Sequence, residues 1–342
     1  MPKHLNQHSY FQTKKTTYLH SLNKSFIKAL KIILPLALGI FLIWYSYSKF
    51  TEEQLHEIGK YFTKANYGFV LLSVLCSVLS HFFRAIRWNY MLEPLGYRPK
   101  IANNFMAISI AYLMNIFIPK SGEVSRGIVL DKYENVPFEK GFGTIISERV
   151  VDLIFLLTFT TIALLLQFDL LFSYLTEIID PTKLYIALMG LFVLMLLFFL
   201  FLKYSRSQLQ QKFKKFFWGL KEGVFSILKM RKKAAFILLT LFIWGLYLLS
   251  FYTALHALEE TQAIAFGTII TAFVVGSFAF AFTNSGFGSY PFFVAGILAV
   301  FGVPETIGTA FGWIVWTSNI ASIIFFGALS FFILPFYNKV KQ

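Results

Sequence analysis

The sequence predicts an all-α polytopic integral membrane protein with about six full transmembrane helices, two re-entrant (broken) helix pairs and an inverted-topology repeat. The first observation is composition: hydrophobic residues make up 57% of the 342 residues, whereas soluble chains contain about 45–50%. The second is that basic and acidic segments alternate between apolar stretches. The third is that two apolar stretches are interrupted at corresponding places in the two halves of the chain.

Six apolar stretches are long enough to cross a bilayer, which takes about 20 residues. Two further stretches, 101–118 and 264–302, contain a break with proline and glycine at 118–123 and at 283–291. Because proline and glycine end helices, each of these two is predicted to be a pair of shorter helices. The six uninterrupted candidates are 30–48, 67–88, 142–167, 183–202, 234–255 and 306–334.

The net charge of +14, from 31 Lys and Arg against 17 Asp and Glu, indicates orientation in the membrane. Cytoplasmic loops carry an excess of lysine and arginine, and 203–233 holds ten basic residues and one acid. Segments 168–183 and 256–263 are acidic and are predicted to face outside. The segments predicted to be cytoplasmic are the basic N-terminal arm (1–29), 84–100, 203–233 and the tail (336–342), and nucleic acid is not an expected partner.

An odd number of crossings must separate a cytoplasmic segment from an external one. This parity is met if 101–135 and 264–302 each enter and leave the membrane on one side. Residues 30–168 then form a first repeat and 169–335 a second repeat of opposite orientation. Three full spans over 264–334 would satisfy the parity as well, and any eight apolar segments can be paired in this way. Broken helices at matching positions are typical of a transporter's substrate site.

Residues 207–230 combine apolar side chains at the spacing of one helix face with lysines on the other face. This pattern predicts an amphipathic helix on the inner leaflet, where lysines are attracted to anionic lipid. A surface connector without a specific ligand is the favoured interpretation.

The first candidate binding group is an arginine pair at the end of the second apolar stretch. Arg84 and Arg87 are three residues apart and share a helix face. Guanidinium groups bind phosphate in a bidentate fashion, so the pair is a candidate for a lipid phosphate. The alternative is a snorkelling pair that anchors the helix end, with Trp88 and Tyr90 at the membrane interface.

The break at 115–127, NIFIPKSGEVSRG, combines helix-breaking residues with charge. Pro119 and Gly122 interrupt the backbone, and free amides at the start of a helix bind anions. Lys120 and Arg126 add positive charge to that site. Glu123 lies where the helix dipole favours a carboxylate, or it pairs with Arg126 at a three-residue spacing as a structural link.

A third group, SERVVD at 147–152, lies inside an apolar stretch. Glu148 and Asp152 are four residues apart and share a face, while Arg149 points elsewhere. A charge at the centre of a spanning helix costs about 2.5–3.5 kcal/mol on insertion scales. The carboxylates are therefore expected to face a polar cavity or to pair with cations. A structural charge network and a substrate or proton-coupling site both remain open.

The later break, TNSGFGSY at 283–290, places Asn284, Gly286 and Gly288 at membrane depth. Unwound backbone is tolerated there where protein or a cavity supplies hydrogen bonds. The glycines would let a headgroup approach closely, although packing alone also explains them. The sequence contains no phosphate-binding loop, nucleophile motif or zinc motif, so no cofactor or metal is expected. The single Cys76 excludes an intramolecular disulfide.

Four motifs occur together in the order RAIRW (84–88), NIFIPKSGEVSRG (115–127), SERVVD (147–152) and NSGFGSY (284–290). The chain resembles, over about 28–335, the flippase-like membrane domain of lysylphosphatidylglycerol synthases (multiple peptide resistance factors). In the late loop, Asn284-Ser285 replace the Pro-Gly of the family. The matching positions are Arg87-Trp88, Asn115, Pro119, Gly122-Glu123, Arg126, Glu148-Arg149, Asp152, Gly286 and Gly288.

The resemblance implies a multi-pass protein of the bacterial inner (plasma) membrane that binds or moves anionic or modified lipid between leaflets. The charge pattern predicts that its N- and C-termini are cytoplasmic. It implies a stand-alone member without the soluble synthase domain, and hence no lipid aminoacylation. Anionic phospholipids of the inner leaflet are the expected partners. A homo-oligomer or a separate lipid-modifying enzyme stays open.

Three functions are compatible with these residues. In a lipid translocase, the arginines would hold a phosphate, and Glu148 with Asp152 would position them or bind a cationic headgroup. In a membrane enzyme acting on a lipid-linked substrate, one of these two carboxylates would be a general base. The third is a non-transporting scaffold or lipid sensor.

Overall fold

The computed structural model describes residues 33–338, apart from 179, 205–206, 209, 212–213 and 215–229. The predicted N-terminal arm (1–29) and most of the predicted amphipathic helix and tail lie outside the described residues. The described part of the chain forms twelve α-helices. They are α1 (Ile33–Ser48), α2 (Glu52–Lys64), α3 (Tyr67–Leu92), α4 (Ile101–Phe117), α5 (Ser121–Glu134), α6 (Phe138–Leu166), α7 (Phe168–Ile178), α8 (Pro181–Tyr204), α9 (Lys233–Leu255), α10 (Phe266–Phe282), α11 (Ser289–Val300) and α12 (Glu305–Asn338).

Four of these helices, α3, α6, α9 and α12, are long and apolar enough to cross a membrane. Helices α1 and α2 pass the same test only as a pair, and they are bent by 113° at their junction. The all-helical, polytopic membrane fold is therefore confirmed, whereas the number of full spans stays a prediction. The acidic segment 168–183 is an external loop in the sequence prediction, but it contains α7.

Helices α3 and α9 pack side by side and run antiparallel. At one end, the backbone N–H of Asn66 donates to the carbonyl of Ala257 over 2.8 Å. At the other end, Lys232 Nζ lies 3.0 Å from Glu93 Oε2. The segments around 93 and 232 therefore share one end of the bundle and that around 257 lies at the other, as the charge pattern predicts. The absolute orientation stays a prediction.

The first broken pair is a helical hairpin. Helix α4 ends at Phe117, two residues before Pro119, and α5 begins at Ser121. The outer ends of the two helices meet, because Glu134 Oε1 accepts a hydrogen bond from the backbone N–H of Lys100 over 3.1 Å. The chain thus turns at the break and returns to the end of the bundle from which it came.

The second break follows α10 and spans residues 283–288. Its backbone passes through the left-handed region at Ser285, Gly286 and Gly288. The sequence suggested that the following helix starts at Pro291, but α11 begins at Ser289. Proline is tolerated in a first helical turn because the N–H that it lacks has no partner there.

The two breaks are in contact. The side-chain amide of Asn284 in the second break donates to the carbonyl of Ile116 at the end of α4, over 2.9 Å. Helix α1 covers the second break closely, since a Cβ on Gly288 would collide with the carbonyl oxygen of Gly39. The division into inverted repeats 30–168 and 169–335 stays a prediction.

Candidate anion-binding site

Five charged side chains from three helices meet inside the bundle. Arg84 and Arg87 come from α3, Arg126 from α5, and Glu148 and Asp152 from α6. The first four are at most 3% exposed, and the Asp152 side chain is 16% exposed. We refer to these five residues as the charge cluster.

The two α3 arginines hold both carboxylates, as their spacing on one helix face predicts. Arg84 contacts Glu148 and Asp152 through separate nitrogens of its guanidinium group. Arg87 Nη2 lies 2.8 Å from Glu148 Oε1 and 3.0 Å from Asp152 Oδ1. Because each carboxylate contacts both arginines, the buried charges of α3 and α6 are paired.

Arg126 contacts one carboxylate of the charge cluster, that of Glu148. Its Nη2 lies 2.8 Å from Glu148 Oε2, and its guanidinium lies 3.6 Å from the centre of the Trp88 ring, a cation–π contact. Nη2 is therefore paired with a buried carboxylate, whereas Nε of Arg126 has no hydrogen-bond partner among the described residues. Buried guanidinium donors without a partner are costly, and an anionic ligand would satisfy them.

Three hydroxyl groups complete the cluster, and the sequence analysis did not identify them. Arg84 Nη1 donates to the hydroxyl of Tyr112 on α4 and, over 3.2 Å, to that of Tyr247 on α9. Arg87 Nη1 donates to Thr240 Oγ1 over 3.1 Å. For Thr240, the signal that could have indicated it is a polar side chain within an apolar spanning helix, which normally faces a protein interior.

The charges of the cluster do not cancel. Three arginines and two carboxylates leave one net positive charge. All three arginines contact Glu148, so this excess charge belongs to the cluster as a whole. A net charge in a low-dielectric interior is unfavourable unless a counter-ion accompanies it.

A cavity of about 10 Å³ lies beside Arg126. This is room for about one water molecule. It lies between α3, α4, α5 and α6, and its polar lining consists of Arg84, Tyr112, Asn115, Glu123, Arg126 and Arg149. We refer to it as the Arg126 cavity.

The other charged candidates of the sequence lie at the edge of this cavity or outside it. Arg149 Nη2 pairs with Glu123 Oε1 over 3.0 Å, with the two side chains 41% and 25% exposed. Glu123 therefore pairs with Arg149 rather than with Arg126. Lys120 is exposed, and no described contact joins it to the cluster. It lies at the tip of the hairpin, six residues before Arg126, which is about 9 Å along a helix.

The predicted helix-breaking residues shape the backbone around the site. Asn115 Oδ1 accepts from the backbone N–H of Gly122 over 2.7 Å, and this bond ties the start of α5 to α4. A side chain at Gly122 would collide with the carbonyl of Ala111. Gly286 and Gly288 do not line the Arg126 cavity; they form the break that Asn284 joins to α4.

Two details of the sequence interpretation are wrong. The sequence pattern places Trp88 at the membrane interface, but Trp88 is fully buried, and its indole N–H donates to Thr144 Oγ1 over 2.9 Å. The charge pattern starts a cytoplasmic segment at 84, but α3 continues to Leu92, and Arg84 and Arg87 are buried within it. In addition, α6 begins at Phe138 rather than near 142, so Glu148 lies about three turns into the helix.

The fold and the cluster define a polytopic helical membrane protein with a buried, net positive site. The chain belongs to the family of the lysylphosphatidylglycerol synthase TM region, whose sequence profile matches residues 32–327.

Three curated relatives share parts of the chain. A UPF0104 membrane protein of Methanocaldococcus jannaschii is 29% identical over 109 residues, which is 31% of this chain and 32% of the relative. A UPF0104 membrane protein of Pyrococcus horikoshii is 26% identical over 142 residues, 40% of each chain. Glycosyltransferase AglD of Haloferax volcanii is 33% identical over 91 residues, 26% of this chain and 15% of the relative.

The matches thus cover 15–40% of the length of these relatives. No solved structure matches the chain.

Proposed function

We propose that this protein binds the phosphate of an anionic lipid or a lipid-linked substrate at Arg126 and moves that lipid between the leaflets of the membrane. The observation that carries the proposal is the state of Arg126. This side chain is 3% exposed, borders a cavity, belongs to a cluster with one net positive charge, and has an Nε without a hydrogen-bond partner among the described residues. A phosphodiester supplies both the negative charge and the acceptor oxygens that are missing.

The family supports a lipid as the ligand. Its description names a synthase of lysylphosphatidylglycerol, which is a phospholipid. Because a phospholipid contains a phosphate group, this name agrees with an arginine site.

The contacts of the carboxylates argue against a general base and against a cationic headgroup. Glu148 contacts three arginines, and Asp152 contacts two. A general base must be available to accept a proton, and a cationic headgroup needs a carboxylate that is not already neutralised. In this arrangement, Glu148 and Asp152 position the arginines.

Binding requires the Arg126 cavity to widen, since it has room for about one water molecule. The Glu123–Arg149 pair joins α5 to α6 at the edge of the cavity and is partly exposed. Separation of this pair would open the cavity to a headgroup from the hairpin side.

A lipid-movement assay with two matched arginine variants tests the proposal. In proteoliposomes with fluorescent phospholipid, protein-dependent access of dithionite to inner-leaflet lipid should fall to the protein-free level in Arg126→Gln. Arg98→Gln is the control, because Arg98 has an 80% exposed side chain and pairs only with Glu93 among the described salt bridges. If Arg126→Gln moves lipid at the wild-type rate, Arg126 is not the site.

We further propose that the protein resides in the bacterial plasma membrane with its termini in the cytoplasm. Anionic phospholipids of the inner leaflet are the proposed partners. The basic segments of the sequence support this orientation.

A further inference from the structure

A second cavity shares Tyr112 with the Arg126 cavity. Tyr112 lines both, and helices α3, α4 and α12 enclose the second one. Its hydrogen-bonding lining consists of Ser77, His81, Ser109, Tyr112, Asn319 and Ser322. The described residues that line it include no carboxylate, lysine or arginine. We refer to it as the Tyr112 cavity.

This concentration of polar groups is unusual for its position. Helices α3 and α12 are spanning helices, whose other surfaces carry mainly apolar residues. Small polar residues in membrane helices commonly bond across a helix interface. Here, however, Ser109 Oγ donates to the Phe105 carbonyl and Asn319 Nδ2 donates to the Val315 carbonyl, both within their own helices. These bonds do not join the helices across the cavity.

His81 provides an independent indication of a ligand. Its ring lies against Tyr112, with ring centres 4.4 Å apart, and its Nδ1 is buried without a hydrogen-bond partner in the described structure. A hydroxyl both donates and accepts, so it can satisfy an imidazole nitrogen in either tautomer. The amide of Asn319 and the serine hydroxyls also suit a group that both donates and accepts.

We infer that the Tyr112 cavity binds the part of the headgroup beyond the phosphate, and that this part is a neutral polyol, either glycerol or a sugar-sized ring. The inference rests on the proposed function, because it places the phosphate at Arg126 and the hydroxyls in the second cavity that Tyr112 lines. Absence of charge in the described lining selects against a cationic headgroup. In the described conformation this cavity also has room for about one water molecule, so it widens on binding as the first one does.

Three lipids with the same acyl chains and the same single negative charge test the inference in phosphatidylcholine nanodiscs. Phosphatidylmethanol has a phosphodiester but no hydroxyl, phosphatidylglycerol adds glycerol, and phosphatidylinositol adds a polyol ring. We expect at least one of the two polyol lipids to bind about tenfold more tightly than phosphatidylmethanol, as one or two added hydrogen bonds would give. The polyol lipid that binds more tightly shows whether the cavity accepts glycerol or a sugar-sized ring.

The double variant Asn319→Leu, Ser322→Ala should lose this preference and keep the affinity for phosphatidylmethanol, which also shows that it is folded. Equal binding of all three lipids by the wild type, or an unchanged preference in the double variant, would overturn the inference. A different result would overturn the proposed function: an Arg126→Gln protein that binds phosphatidylmethanol as tightly as the wild type.

Discussion

Replacement of Glu148 by Gln is expected to lower the free energy of unfolding by about 3–5 kcal/mol, the usual loss when one member of a buried ion pair is removed. Glu148 is fully buried and contacts Arg84, Arg87 and Arg126. Glutamine has nearly the same shape, so the change removes charge without leaving a void. It raises the net charge of the cluster by one unit. Unfolding in detergent micelles, followed by thermal or denaturant titration, measures the loss.

Two further variants separate the charge effect from a general effect of substitution. Glu139→Gln removes a carboxylate from the first turn of the same helix, where the residue is exposed, and should cost less than about 1 kcal/mol. The pair Glu148→Gln, Arg87→Met restores the original net charge of the cluster, so its loss should be smaller than the sum of the single losses. A Glu148→Gln protein as stable as Glu139→Gln would contradict a buried charge network.

The second large effect is expected at Gly288, in the break between α10 and α11. Its φ of +67° is a conformation that side-chain-bearing residues rarely adopt, and a Cβ there would collide with the Gly39 carbonyl of α1. The left-handed backbone alone costs about 1–2 kcal/mol, and overpacking adds about 1–3 kcal/mol. Gly288→Ala should therefore lower the free energy of unfolding by about 2–5 kcal/mol, measured as for Glu148.

Gly296→Ala is the matched control, because Gly296 lies in the neighbouring helix α11. A Cβ at this position would meet no atom within 4 Å, apart from its own helix backbone and chain neighbours. Alanine is the better helix former, so this variant should be neutral or more stable by up to about 1 kcal/mol. Equal stabilities of the two variants would show that α1 does not pack on the break.

Local spacing explains what could be predicted from the sequence. The positions of Arg84 and Arg87 three apart, and of Glu148 and Asp152 four apart, follow from the period of a helix, and these side chains do meet. The two breaks follow from proline, glycine and polar residues within apolar stretches. Both features depend on neighbours along the chain, which is why the helices and the core of the cluster were predictable.

Partner choice between distant helices was not predictable. Glu123 pairs with Arg149, which is far along the chain, instead of with nearby Arg126. The hydroxyls of Tyr112 and Tyr247 reach Arg84 because α4 and α9 pack against α3. Those contacts are set by tertiary packing, and a tyrosine in an apolar helix is by itself equally suited to the membrane interface.

Lipid occupancy of the purified protein tests the role of Arg126 most directly. Native mass spectrometry of protein extracted gently from membranes should show one bound phosphate-containing lipid in the wild type and in Arg98→Gln. The same lipid should be absent from Arg126→Gln. A bound lipid retained at wild-type occupancy in Arg126→Gln would contradict an anion site at this arginine.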